Sequence, residues 1–220
     1  MSVDEKVDFL MSLGETVTPT SEHLKEVVKL SSDKDAFVRC QTAVALVYFD
    51  CDIAQQTLIR LACDEDSLVR AEAYDSLALF EDEEVLRFLE NAIEKEKDEI
   101  ACSYAIMSWT DIAIAIEDKE PLKAEYIFEL EKNPKISESG HCMLSCYRAR
   151  YYFGEKGIIN DIIEYLKHED YHVRSSVIAV FDEIVDDDNI KTIKTALNEL
   201  LGQETTRAVR SRVEIFFDNY

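Results

Sequence analysis

The sequence predicts an all-α fold, arranged as a right-handed α-solenoid of about six helical pairs. Glycine and proline are scarce, with 5 Gly and 3 Pro in 220 residues, so the frequent tight turns of a β-sandwich or barrel are missing. Apolar residues make up 47% of the chain, which is enough to form a core. One phrase also recurs along the chain, as in repeat proteins.

The recurring phrase aligns at four places without gaps. The four segments are DAFVRCQTAVALVYF from Asp35, DSLVRAEAYDSLALF from Asp66, DYHVRSSVIAVFDEI from Asp170 and TRAVRSRVEIFFDNY from Thr206. Each begins with a residue whose side-chain oxygen can accept a hydrogen bond from an unpaired amide in the first helical turn. A Val-Arg pair follows, and Leu or Phe stands eight residues after the Val. This spacing places both apolar residues on one helical stripe.

A second amphipathic stretch lies between consecutive copies, such as IAQQTLIRLAC from Ile53. The first two copies begin 31 residues apart and the last two 36, which suits two antiparallel helices per repeat. We therefore predict a single repeat domain over residues 1–220, with an N-terminal cap helix within 1–20 and repeats over 21–220. A degenerate copy from Asp98 is expected to keep the 31-residue phase, with Ile100 at the Val position and Ala101 replacing the Arg.

The helices themselves follow from the same periodicity, and so do two further features of the middle of the chain. Predicted helices cover residues 3–13, 21–31, 35–49, 53–63, 67–80, 83–95, 99–116, 121–131, 138–153, 157–167, 171–185, 189–201 and 206–218. The segment from Ser137 has a helical pattern whose register the sequence leaves open. The missing Arg at Ala101 implies a break or kink in any ladder that the Asp and Arg residues of the repeats form.

The D-x-x-V-R phrase that opens the second helix of each pair resembles HEAT repeats, especially the short kind also found in phycobilin lyases. The resemblance covers most of the chain from about Ser21 onward and indicates architecture far more than function. It implies that the Asp and Arg residues form a ladder between neighbouring repeats, since an arginine can bind a carboxylate with two parallel hydrogen bonds. The residues assigned to this ladder are Asp35, Arg39, Asp66, Arg70, Asp170, Arg174 and Arg210.

The chain is strongly acidic, with 24 Lys and Arg against 46 Asp and Glu and a net charge of −22. Such a surface repels phosphate, which argues against direct nucleic-acid binding, and it attracts basic proteins. Four acidic runs mark the predicted turns: Asp64-Glu65-Asp66, Glu81-Asp82-Glu83-Glu84, Glu117-Asp118 and Asp186-Asp187-Asp188. They form either a functional acidic rim or ordinary polar turns with acids at helix N-termini.

Partner-binding residues are predicted on the second helices, which line the concave face where repeat proteins usually bind. Tyrosine and arginine crowd the segment after Ser137, and both are favoured at protein interfaces. The candidates on this face are Tyr48, Glu72, Asp75, Trp109, Asp111, Tyr147, Tyr151 and Asp182. Several of them are equally compatible with a place in the core.

No catalytic, metal or cofactor site is predicted. The phrase from His168 to His172 spells H-E-x-x-H, but a zinc protease needs that phrase inside a helix, and here Asp170 aligns with the helix caps. Cys142 and Cys146, four residues apart, are expected to be core thiols, although a flanking His141 leaves a metal or redox role open. Glycine-rich phosphate loops cannot be written with these glycines.

The leading functional hypothesis is a non-enzymatic module that binds a basic protein, in its sharpest form an immunity protein neutralising a nuclease-type toxin. The alternatives are a regulatory or scaffold protein, a phycobilin-lyase-like ligand-binding protein, and a DNA-processing protein of the glycosylase kind, which the acidity disfavours. Free cysteines, an acidic N-terminal segment and the lack of a long apolar run lead us to expect a cytoplasmic protein without a membrane span. The sequence leaves the oligomeric state open.

Overall fold

A computed structural model of the chain describes residues 1–14, 16–116 and 120–220, with the backbone alone at 120–122. These residues form fourteen α-helices and no strand beyond an isolated bridge between Leu13 and Val17. The helices are α1 (Val3–Ser12), α2 (Ser21–Leu30), α3 (Ala36–Leu46), α4 (Asp52–Leu61), α5 (Ser67–Leu77), α6 (Glu83–Lys95), α7 (Glu99–Ala115), α8 (Glu120–Glu131), α9 (Pro134–Ser137), α10 (Gly140–Tyr152), α11 (Ile159–Glu164), α12 (Tyr171–Ile184), α13 (Ile190–Leu201) and α14 (Arg207–Asn219). The predicted all-α fold is confirmed.

The chain divides into two compact units, Met1–Lys119 and Glu120–Tyr220. Unit 1 contains α1–α7 and unit 2 contains α8–α14, and each is described by itself below. The predictions of one domain and of a right-handed superhelix remain predictions.

Unit 1 is built from three helical pairs, α2 with α3, α4 with α5 and α6 with α7. The second helices of these pairs stack directly, α3 against α5 and α5 against α7, and α1 packs against α3. Their inward stripes are fully buried, as the periodicity predicted: Val38 and Leu46 in α3 and Val69 and Leu77 in α5 are 0% exposed. Removing large apolar residues from water on this stripe supplies the main driving force for the stack.

The start of each second helix in unit 1 is fixed by an aspartate cap. The Oδ1 atom of Asp35 accepts a hydrogen bond from the N–H of Phe37 at 2.9 Å, and that of Asp66 accepts from Leu68 at 2.9 Å. Asp98 does the same for Ile100 at 3.1 Å. These bonds satisfy amides that have no partner inside the helix, so the predicted helix starts are confirmed.

The third copy has a register one residue later than predicted. Because Asp98 is the cap of α7, the Val position is Ala101, which is 0% exposed, and the Arg position is Cys102, which is 1% exposed. Ile100 is 41% exposed and therefore does not take the place of the buried Val. The phase is thus 32 residues from Asp66, and the Arg is replaced by Cys102 rather than by Ala101.

Unit 2 repeats the arrangement with more irregular first helices. Packed pairs are α8 with α10 and α13 with α14, and the second helices stack in the order α10, α12, α14. Between them, α11 packs against α10, and the 3-10 turn Tyr165–Lys167 that follows α11 packs against α12. The short helix α9, which was not predicted, begins with Pro134 after the cap Asn133. The helix predicted over 157–167 is α11 flanked by two short 3-10 turns. The core of unit 2 includes Phe181, Leu197 and Phe216, all 0% exposed.

One glycine of unit 2 is required by close packing. A Cβ atom on Gly140, the first residue of α10, would stand 3.0 Å from a methyl group of Val173 and 3.2 Å from the imidazole of His168. Both neighbours belong to the start of the α12 repeat. The small residue therefore lets α10 and α12 approach each other at their N-terminal ends.

Candidate binding surface

The arginine of the repeated phrase forms a rung to the following repeat. In unit 1, Arg39 donates from Nε and Nη2 to the carboxylate of Asp64, both at 2.7 Å. One repeat later, Arg70 donates to Glu96 at 2.8 and 2.7 Å. Lys6 of α1 makes the corresponding contact to Asp33. We call these ion pairs the ladder of unit 1.

The ladder carboxylates are not the aspartates that the sequence assigned. Asp35 and Asp66 cap helices, and the carboxylate of each rung stands two residues before the next cap, as Asp64 does before Asp66. The same carboxylate also accepts a hydrogen bond from the N–H of the cap residue, at 3.0 Å for both Asp64–Asp66 and Glu96–Asp98. The acid is therefore held by its own loop while it binds the preceding repeat.

Burial of these rungs shifts the ionisation of their members. Burial alone raises the pKa of Glu96, but hydrogen bonds from Arg70 and from the backbone N–H groups of Asp98 and Lys97 outweigh it and lower the pKa to about 2. Burial also raises the pKa of Asp64, but the hydrogen bonds from Arg39 and from the backbone N–H of Asp66, with the charges of Arg39 and Arg70, together lower it. Both rungs therefore remain ionised at neutral pH.

Unit 2 retains one complete rung. Arg174 donates to Glu204 at 2.7 and 3.1 Å, and this hydrogen bond lowers the pKa of Glu204 to about 2. Arg210, in the last copy, donates to the backbone carbonyls of Leu201 and Glu204. Asp170 caps α12 as Asp35 caps α3, so its predicted ladder role is also replaced by a capping role.

The exposed surface of the second helices in unit 1 combines acids with apolar side chains. We define the second-helix face as the outward residues on or directly after α3, α5 and α7. Its residues are Phe37, Val44, Tyr48, Leu68, Glu72, Asp75, Leu79, Ile100, Tyr104, Asp111 and Ile114. Phe37, Leu68 and Ile100 occupy the same position, two residues after each cap, and are 55%, 62% and 41% exposed.

The charge of this face follows from the ladder. Helices α3, α5 and α7 carry two cationic residues, Arg39 and Arg70, and the side chains of both are turned into rungs. The remaining charged residues of these three helices are Glu72, Asp75, Glu99 and Asp111. Because both arginines of these helices are bound in the ladder, the outward charge of the second helices is negative.

Negative charge accumulates most at the middle of the face. Burial raises the pKa of Glu72, and the nearby carboxylate of Asp75 raises it further. The thiol of Cys40 lies next to them, and burial together with Glu72 and Asp66 raises its pKa to about 11. Burial is the main cause of both shifts, and the smaller contribution of the neighbouring carboxylates reflects their mutual repulsion.

Of the predicted partner-binding residues in unit 1, Glu72, Asp75, Asp111 and Tyr48 reach the surface and Trp109 does not. Trp109 is 2% exposed, and its indole N–H donates to Glu90 at 3.2 Å. Tyr48 is 44% exposed. A Cβ atom on Gly14 would stand 2.2 Å from a carbon of the Tyr48 ring, which is too close. Gly14 has a φ of +80°, so glycine is needed there for both reasons.

The predicted residues of unit 2 mostly serve its internal packing. Tyr151 is 4% exposed and donates to Asp186 at 2.8 Å. Tyr147 is half-buried against the ring of Tyr165. Asp182 is exposed, and its backbone carbonyl accepts a hydrogen bond from the hydroxyl of Tyr220. These contacts give Tyr147 and Tyr151 a structural role.

The acidic runs lie at helix starts. Asp82 caps α6 by accepting from the N–H of Glu84, and Asp186 accepts from the N–H groups of Asp188 and Asn189 before α13. All members of the two runs assigned to partner binding are exposed: Glu81, Asp82, Glu83, Glu84, Asp186, Asp187 and Asp188. The run Glu117-Asp118 lies outside the described residues.

The motifs that suggested metal chemistry have structural roles. The Nδ1 atom of His168 accepts a hydrogen bond from the N–H of Asp170 at 3.1 Å, and Asp170 caps α12. The H-E-x-x-H phrase therefore straddles a loop and a helix start. Cys142 and Cys146 are buried at 1% and 0% exposure. Among the described residues, no group of three or more His, Cys, Asp or Glu is placed to bind a metal ion.

Two groups of residues were not predicted from the sequence, and the sequence carries a signal for both. The ladder acids Asp33, Asp64, Glu96 and Glu204 stand two residues before a cap, so the repeat alignment reveals them once it is extended upstream. The exposed apolar position two residues after the cap recurs as Phe37, Leu68 and Ile100. The same exposed apolar position is therefore present in three consecutive repeats, outside the buried stripe.

Comparisons with known proteins agree with this architecture. Residues 24–108 match the family model of HEAT repeats, and this segment covers the pairs α2–α3 and α4–α5 and most of α6–α7. No curated protein matches the chain. In the described part of the chain, no helix combines the length and apolar character needed to cross a membrane. The match, the ladder and the stacked pairs together show that residues 24–108 of this chain are similar to HEAT repeats.

Proposed function

We propose that the chain is a non-catalytic binding module that captures a basic protein on the second-helix face of unit 1. HEAT repeats generally mediate protein–protein interaction or scaffolding. The observation that carries the proposal is that Arg39 and Arg70, the two cations of α3, α5 and α7, are bound in rungs. The outward face is thus left with acids and exposed apolar side chains, which complement a partner that presents both cations and apolar groups.

The geometry favours a helical segment of that partner. Packed helices lie about 10 Å apart, and two turns of an α-helix also span about 11 Å. A helix crossing α3, α5 and α7 can therefore place an apolar residue on each of Phe37, Leu68 and Ile100, one every seven residues. Lysine or arginine beside this stripe would reach Glu72 and Asp75, two neighbouring carboxylates that repel each other.

The sharpest form of the proposal is an immunity protein that neutralises a basic nuclease-type toxin, because an acidic surface can occupy a cleft built for phosphate. A scaffold role with a neutral partner is the alternative. The deciding experiment is an affinity capture from the source cell's lysate at low and moderate salt, using the wild type and the variant Glu72→Lys/Asp75→Lys, with mass spectrometry of the retained proteins.

We expect the wild type to retain a basic protein whose capture weakens as salt rises, and the variant to lose it. The control is Glu129→Lys/Glu138→Lys, a double charge reversal at exposed positions of unit 2, which should retain the same protein. A partner whose capture is insensitive to both salt and Glu72→Lys/Asp75→Lys would refute the electrostatic proposal. The immunity form is tested separately by adding the chain to the captured protein in a nuclease assay, where unchanged cleavage would exclude it.

A further inference from the structure

A groove of about 680 Å³ lies in unit 1 beside the first helices α4 and α6, away from the second-helix face. α4 packs closely against α5 and α6 against α7, whereas α4 and α6 pack only loosely against each other. The walls include Ala62, Phe88 and Ala92, and the floor includes the rung between Arg70 and Glu96. The volume is within the range of sites that bind small molecules.

The equivalent position one repeat earlier is also a groove, of about 610 Å³, but its lining includes a polar contact that the later groove lacks. There, Arg60 donates from Nη2 to the hydroxyl of Ser31 at 2.7 Å, which ties α4 to the end of α2. Adding the 31-residue repeat length to these two residues gives Asn91 and Ala62, and both line the open groove. Neither the arginine nor the hydroxyl is present in the later repeat, so the tie is lost and apolar walls are left accessible.

The charges of the groove are distributed along α6. Phe88, Ala92 and Lys95 are spaced four and three residues apart and share one face of the helix. Lys95 and Lys97 are exposed and form no ion pair with any described residue. Glu84 lies at the opposite end of the lining.

The other charged groups of the lining are already balanced. Arg70 and Glu96 neutralise each other, and Asp64 is bound to Arg39. Arg87 contacts Glu83 at 3.4 Å on the exposed side of α6. In a chain of net charge −22, the end of the groove at Lys95 and Lys97 therefore combines an apolar wall with available positive charge.

We propose that this groove is a binding site for a small amphipathic anion, with its apolar body against Ala62, Phe88 and Ala92 and its carboxylate or sulfonate at Lys95 and Lys97. The site is independent of the second-helix face. Tyr74, which is 3% exposed and donates to Glu96 at 3.2 Å, provides a fixed aromatic surface on the floor.

The test uses the dye 1-anilinonaphthalene-8-sulfonate as the anionic probe and N-phenyl-1-naphthylamine, which lacks the sulfonate, as its neutral counterpart. Both are titrated by fluorescence. The variant Ala62→Ser/Asn91→Arg restores the tie found one repeat earlier and should place a polar pair across the apolar walls of the groove. We expect this variant to bind the anionic dye at least about tenfold more weakly, although it adds a positive charge. The reason is that the apolar body of the dye loses its contact area.

The second variant, Lys95→Gln/Lys97→Gln, changes exposed side chains and leaves the core intact. It should weaken binding of the anionic dye by about three- to tenfold and leave binding of the neutral dye unchanged, since only the positive charge is removed. As a matched control, Asn198→Arg places the same substitution on an exposed position of α13 in unit 2 and should leave both titrations unchanged.

A thiol in the groove gives a readout of location. Cys63 is exposed and lines the groove, so bound dye should slow its alkylation by a maleimide, followed by peptide mass spectrometry, while alkylation of Cys51 stays unchanged. Equal dye binding by the wild type and by both groove variants, or no protection of Cys63, would overturn the proposal. Glu72→Lys/Asp75→Lys should not affect the dye, which separates this site from the proposed function.

Discussion

The two units use the same repeat and expose different surfaces. In unit 1, Arg39 and Arg70 point into rungs, and the outward face of the second helices retains acids and apolar residues. In unit 2, Arg207 and Arg212 of α14 are exposed cations on the last second helix. The sign of the charge on the outward surface of a repeat therefore depends partly on which charged side chains are bound in internal ion pairs.

The arginines of α10 illustrate the other use of charge in unit 2. Arg148 binds Glu183, and its guanidinium lies 4.8 Å from the centre of the Tyr152 ring. Arg150 lies between Glu131 and Glu155, and the hydrogen bond that it donates to Glu155 is the main cause that raises the pKa of this guanidinium. These contacts hold neighbouring segments of one unit together, whereas a rung repeats a single contact from one pair to the next.

Breaking a rung of unit 1 should have the largest effect. Arg70→Ala leaves the carboxylate of Glu96, whose side chain is 3% exposed, without its arginine. We expect the free energy of unfolding to fall by about 3 kcal/mol, because an unpaired charge remains buried. Urea denaturation measures it. Arg87→Ala, which removes an exposed pair within α6, should cost less than about 0.5 kcal/mol, and equal losses in the two variants would contradict the importance of the ladder.

Building a rung in unit 2 should have a smaller effect on stability than breaking one in unit 1, and it tests whether the two units share the same spacing between second helices. Met143 stands four residues after the cap Ser139, as Arg39 does after its cap, and His168 takes the ladder-acid position before Asp170. Each of the changes Met143→Arg and His168→Glu should destabilise the protein on its own, since each buries a charge without a partner.

Together, the two substitutions should couple favourably by about 1 kcal/mol in a double-mutant cycle. The cycle is measured by thermal and urea unfolding of the four proteins. Additive effects would mean that the starts of α10 and α12 do not have the spacing of a rung, in contrast to the stacked second helices of unit 1.

The repeat phrase predicted the fold well because each of its parts has a local cause. The caps Asp35, Asp66 and Asp170 act within two residues, and the buried Val and Leu follow the helical period, so both are visible in a single copy. The partner of each arginine lies in the next repeat, and the family resemblance assigned it to the cap instead of to the acid two residues earlier. The register predicted at Asp98 was wrong by one residue for a related reason. The 31-residue spacing of the first two copies was extended to a third copy that begins 32 residues after the second.

The binding surface was predicted only in part. Glu72, Asp75 and Asp111 follow from charge at outward positions, whereas Trp109 and Tyr151 are buried by neighbours that are distant in sequence. The apolar lining of the groove beside α6 could not be predicted from either repeat alone, because it depends on the absence at Ala62 and Asn91 of a polar contact present one repeat earlier.

The smallest effect concerns one acid in each unit. The pKa values of Glu72 and Asp182 are both raised by burial, but Asp75 adds to the shift of Glu72 whereas Arg212 opposes that of Asp182. A carboxyl group whose pKa is raised on folding favours the folded state when it is protonated. Its contribution is therefore present below the raised pKa and is lost as pH rises through it.

At pH 7, Glu72→Gln should consequently increase the free energy of unfolding by up to about 0.5 kcal/mol, and Asp182→Asn by less. The gain from Glu72→Gln should disappear as pH is lowered through the raised pKa, which urea denaturation at several pH values measures. The same substitution should weaken capture of a basic partner, because it removes the charge that the folded protein holds at a cost in stability. A loss of stability in Glu72→Gln, or an equal gain in both variants, would show that the second-helix face of unit 1 is no more negative than its counterpart in unit 2.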